Sequence, residues 1–61
     1  MASPIDEAVR ILRDDFRDLP VDDLLIVLAS LENESRARIF SGQSKLVQEA
    51  MIKAWIMESK N

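Results

Sequence analysis

The chain has no cysteine and no histidine. Without cysteine there is no disulfide staple and no thiolate nucleophile. Without histidine the commonest metal ligand and proton shuttle is missing, and carboxylates alone make poor cages for transition metals. One glycine and two prolines in 61 residues leave little scope for a disordered linker. Aromatic residues are confined to Phe16, Phe40 and Trp55. No stretch approaches the ~20 apolar residues of a membrane span. The start, Met1-Ala2-Ser3-Pro4, shows no basic leader followed by an apolar run. Eight basic residues against eleven acidic ones give a net charge of −3, which argues against broad electrostatic binding to nucleic acid or anionic lipid. The expectation is a chain with no cofactor, no metal and no membrane contact. The lack of cysteine fits a reducing compartment, so an intracellular setting, cytoplasmic or nuclear, is expected.

A chain of 61 residues makes one domain, spanning 1–61, or a segment excised from a larger protein. Small domains near this size often need disulfides, a metal or association to be stable. With the first two set aside, association or tight helix packing remains.

What the chain does have is helical periodicity throughout. The first predicted helix covers about residues 4–17. Ser3 suits its N-cap, Pro4 its first position, and Asp6 and Glu7 the positive end of its dipole. Ile5, Val9, Leu12, Phe16 and Leu19 form its apolar face, with Ala8 on the flank and Ile11 pointing away. Arg10 and Asp14 are four apart on the outer side. Leu19-Pro20 breaks this helix. Pro20 with Asp22 and Asp23 opens a second, predicted over about residues 20–40. Its stripe is Val21, Leu24, Leu28, Leu31, Ser35 and Ile39, while Ile26 and Asn33 lie opposite. Glu32–Arg36 and Glu34–Arg38 read as i,i+4 ion pairs along it. Gly42 falls where a C-cap is wanted, and Ser44 caps a third helix over about residues 45–58. The fold class is therefore all-α, a small three-helix domain.

The third helix is apolar on more sides than one core can use. Leu46, Val47, Ala50, Met51, Ala54 and Met57 share one broad face, read as the core side. Ile52, Trp55 and Ile56 form a second patch. Glu49, Lys53 and Lys60 leave only a narrow charged strip. A surplus apolar face points to a partner surface.

Signatures of chemistry are weak. Asp22-Asp23 reads as helix-start charge and Asp14 as the neighbour of Arg10, rather than as catalytic or calcium pairs, since neither a cleft nor a glycine-containing loop accompanies them. Ser44-Lys45 could form a nucleophile and base, but capping accounts for Ser44. Trp55, Met51 and Met57 could line a ligand pocket, though at helical spacing core or interface is commoner. Arg10, Arg13, Arg17, Arg36 and Arg38 raise a helix-turn-helix reading, against which the third helix offers no polar reading face.

The sequence thus predicts a non-enzymatic interaction module. Homodimerisation through the last helix leads, as a dimeric helical bundle with an interface of Ile52, Trp55, Ile56 and Met51, joined by Ile11 or Ile26. One alternative is a groove that binds an amphipathic helix of another protein. A second is a helix-turn-helix-like DNA-binding regulatory domain.

Overall fold

A computed structural model describes residues 3–61; Met1 and Ala2, which open the segment read for a leader, lie outside the described residues. Within them the fold is all-helical: α1 (Pro4–Asp15), α2 (Val21–Leu31), α3 (Glu34–Ser41) and α4 (Lys45–Lys60). No helix is long and apolar enough to cross a membrane among these residues.

Local chemistry sets the helix ends. At α1, Ser3 Oγ accepts the Asp6 N–H at 3.1 Å, with Pro4 at the first position. α1 stops at Phe16, whose N–H returns to the Leu12 carbonyl while its φ of −129° leaves the helical region. Pro20 then sits extended before α2, offering no side-chain cap. At α4, Ser44 Oγ accepts the Val47 N–H. Gly42 ends α3 as expected from sequence, but with φ −85° it does not use the left-handed freedom of glycine. A Cβ there would sit 3.6 Å from the nearest carbonyl oxygen, an ordinary contact.

The three-helix expectation fails at Asn33. The predicted 20–40 helix is two, because Asn33 turns extended (φ −77°, ψ 116°) and its side-chain oxygen accepts the Arg36 N–H at 3.1 Å. An asparagine makes a good N-cap because it satisfies one of the four orphan N–H groups of a helix start. The break separates Glu32 from Arg36, whereas Glu34 and Arg38 share α3 and pair at 3.1 Å. It also resets the helical phase. Ile39 leaves the core stripe and is 57% exposed, while Ala37 and Phe40 turn inward.

α1 packs mainly on α3, and α2 mainly on α4. Their shared core holds Ala8, Ile11 and Leu12 of α1, Val27 and Leu31 of α2, Ala37 and Phe40 of α3, and Ile52 of α4. Phe40 is fully buried at the centre, with ring centroids 6.5 Å from Phe16 and 5.7 Å from Trp55. Both separations suit tilted aromatic contacts. Ile11, expected to point away, is buried here. α1 packs on both α3 and α2, so its apolar face is wider than a single stripe.

Candidate interaction surfaces

The two faces of the last helix exchange the roles read from sequence. Ile52 is only 2% exposed and belongs to the core, and Trp55, Ile56 and Met51 are partly buried against it. The patch expected to meet a partner is what anchors α4 to its own chain. The broad face expected to be core points outward instead: Leu46 is 79% exposed, Met57 67% and Val47 41%, with Ala50 and Ala54 exposed between them. The inward face carries the bulkier side chains, which fill space between helices, whereas Ala50 and Ala54 fill little. Gln48 completes the inward face. It is buried, and its Nε2 donates to the Phe40 carbonyl at 2.9 Å.

On the outward face, Val47, Ala50, Ala54 and Met57 follow a 3-4-3 spacing, that of a two-heptad coiled-coil seam. Leu46 and Lys53 border the seam on one side, and Met51 and Glu58 on the other. Lys53 Nζ lies 3.3 Å from Glu49 within the same helix. α4 has 16 residues, so the seam runs along a helix about 24 Å long at ~1.5 Å per residue.

Open grooves mark the rest of the surface of the described residues, and three of them bear on function. One lies between α2 and the end of α4; here Ile26 and Trp55, both expected at an interface, line the groove from different helices, with Arg36 and Glu58 also lining it. A second, lined by Ile52 and Ile56 below, carries Asp15, Asp18, Asp23 and Glu49 with Lys45 and Lys53. Lys45 Nζ is 6.0 Å from the centroid of the Phe16 ring, within cation–π range. The third runs between α1 and α2 and is lined by apolar side chains with Arg13 and Arg17. Among the described residues, no group of three or more acidic side chains is placed to hold a metal ion.

The arginines are divided among these surfaces. Arg10 bridges Glu7 and Asp14, the latter at 3.2 Å. The hydrogen bond from Arg10 holds the Glu7 carboxyl below its ordinary range, and the same bond raises Arg10. Both are solvated groups on an open helix face, where such pairs contribute little. Arg38 is held by Glu34, and Arg36 faces the groove of Trp55. Arg13 and Arg17 flank the α1–α2 groove. Ser44 is engaged as a cap, as its sequence position predicts.

Compared with known protein families, with curated proteins and with solved structures, the chain matches none.

Proposed function

We propose that this chain is a non-enzymatic interaction module that self-associates through the outward face of α4. The observation that carries the reading is the exposed seam of Val47, Ala50, Ala54 and Met57, extended by Leu46. Contiguous exposed apolar surface on a small domain marks an interaction site, and a two-fold pair of the same surface closes on itself. The small Ala50 and Ala54 let two helix backbones approach closely, while Val47 and Met57 pack at either end.

Charge selects the orientation. In a parallel pair, Lys53 beside the seam of one copy faces Glu58 of the other, twice by symmetry, and Leu46 faces Met51. In an antiparallel pair, Lys53 meets Lys53. The parallel pair is therefore favoured. Because the monomer already encloses its own core, the association is reversible and of modest affinity, resting on one helix face rather than on the 1,200–2,000 Å² or so of a standard interface.

Sedimentation equilibrium over a concentration series tests this. The parent is expected to shift from monomer to dimer. Lys53→Glu weakens the dimer by placing like charges across the pair, and Lys53→Glu with Glu58→Lys restores it. A chain that stays monomeric at millimolar concentration overturns the proposal. A Lys53→Glu variant that dimerises as well as the parent overturns the parallel register.

A further inference from the structure

We infer that the α1–α2 groove is a docking site for an amphipathic helix from another protein, one with carboxylates flanking its apolar face. The floor of the groove is apolar: Val9 and Leu12 come from α1, Phe16 from its C-cap, and Leu24 and Leu28 from α2. Its charged border is wholly cationic. Arg13 and Arg17 are the charged side chains that line it, and no carboxylate does. In a chain with eleven acidic and eight basic residues this is the reverse of the overall balance. The other two grooves differ: Glu58 accompanies Arg36 in one, and four carboxylates face two lysines in the other.

Both arginines are exposed. The ion pair of Arg13 is to its chain neighbour Asp14 at 3.7 Å, and its side chain is 72% exposed. Arg17 is exposed and makes no ion pair among the described residues. A guanidinium presents a fork of N–H donors that matches a carboxylate. On α2, Val21 and Leu25 are also largely exposed, and Leu25 lines the neighbouring α2–α4 groove. The α1–α2 groove thus offers an apolar floor and a cationic border. An amphipathic helix in a groove reads these as apolar anchors at i, i+3, i+4 and i+7 with flanking charge. Groove and charge together select an acidic helix over a basic one. This site lies on α1 and α2, apart from the α4 seam, and stands or falls without it.

The probe is a dye-labelled amphipathic peptide with leucines on one face and glutamates on its flanks, paired with a counterpart carrying lysines instead. Fluorescence anisotropy of each is followed with the whole chain. The glutamate peptide is expected to bind about tenfold or more tightly than the lysine peptide, the scale of two solvated charge pairs. The Arg13→Glu, Arg17→Glu double variant, both positions being exposed, is expected to reverse the preference while its helical circular dichroism matches the parent's. Arg38→Gln, away from the groove, should leave it unchanged. The same preference in an Ala54→Glu chain, whose α4 seam is spoiled, separates this site from self-association. Equal binding of the two peptides overturns the inference. So does a preference that survives charge reversal, or one that disappears in the Ala54→Glu chain. Arginine-dependent binding to DNA or to anionic phospholipid vesicles, with the glutamate peptide ignored, also overturns it.

Discussion

Gln48 Nε2 donates a 2.9 Å hydrogen bond to the backbone carbonyl of Phe40, fastening α4 to the C-terminal end of α3. The last carbonyls of a helix have no partner within it. Here the Gln43 N–H supplies one bond to Phe40 and Gln48 the other. Gln48→Leu therefore strips one of two partners from this carbonyl, and a loss of about 1–2 kcal/mol is expected in urea denaturation. Gln48→Glu is expected to be worse at neutral pH, where a buried carboxylate faces a carbonyl. Burial raises the folded pKa of that new carboxyl, so the folded state takes up the proton first and stability recovers as pH falls. Equal stability of Gln48→Glu at pH 7 and at pH 4, relative to the parent, would remove this bond from the account.

Phe40 sets the limit of what the core tolerates. It is fully buried and touches the rings of Phe16 and Trp55. Truncation to alanine is expected to cost about 3–5 kcal/mol. That is a large share of the ~5–15 kcal/mol that holds an ordinary domain together. Phe40→Ala should therefore melt well below the parent, with Trp55 emission shifted to the red as it unfolds. Retention of the parent's melting temperature and emission would show that the ring is not central.

Much of this was legible in the chain, and the failures share a cause. Ser3, Pro4, Pro20, Gly42 and Ser44 punctuate the helices where local chemistry requires, because caps and prolines act within a few residues. Asn33 was missed because Leu31, Ser35 and Ile39 keep a helical period across it and the Glu32–Arg36 spacing looks like a pair. Periodicity carries no information about a break that preserves the spacing. The faces of α4 were exchanged because six residues on one side outnumber three on the other. Packing instead follows volume and shape, and Ile52, Trp55 and Ile56 fill more space than Ala50 and Ala54. Gln48, polar in sequence, hid the inward face, since its partner is a carbonyl eight residues away. The α1–α2 groove was not legible at all, because it depends on how two helices lie together.

Asn33 carries the boundary between α2 and α3. Asn33→Ala removes the acceptor of the Arg36 N–H and is expected to cost about 0.5–2 kcal/mol, whereas Asn33→Asp retains it. Hydrogen exchange at the Arg36 amide should accelerate in the alanine variant and not in the aspartate one. Equal protection in all three chains would mean that the cap does not hold the break.

The Glu7–Arg10–Asp14 cluster predicts a weak pH dependence of known sign. The hydrogen bond from Arg10 depresses the Glu7 carboxyl in the folded chain. Its contribution is therefore present above the ordinary carboxylate range and is lost as pH falls through the depressed value. Parent and Glu7→Gln should differ most near neutral pH and converge in acid. The gap should also shrink in high salt, since all three groups are solvated. A gap that grows on acidification would contradict the sign.

Ile52→Glu and Ala54→Glu place the same charge two residues apart on opposite faces of α4, and they should fail in different ways. Ile52 is enclosed by its own chain. A carboxylate there must be desolvated without a partner or take up a proton, costing several kcal/mol. The variant should lose helical circular dichroism and shift Trp55 emission to the red at every concentration. Ala54 is exposed at the middle of the outward seam. Glutamate is a good helix former, so the monomer should change by no more than about 0.5 kcal/mol. What Ala54→Glu should abolish is concentration-dependent dimerisation, because two carboxylates would face each other across a parallel pair. If both variants keep the parent's association, the α4 face is plain solvent-exposed surface. If Ala54→Glu unfolds as Ile52→Glu does, that face is part of the core and the assignment of sides is wrong.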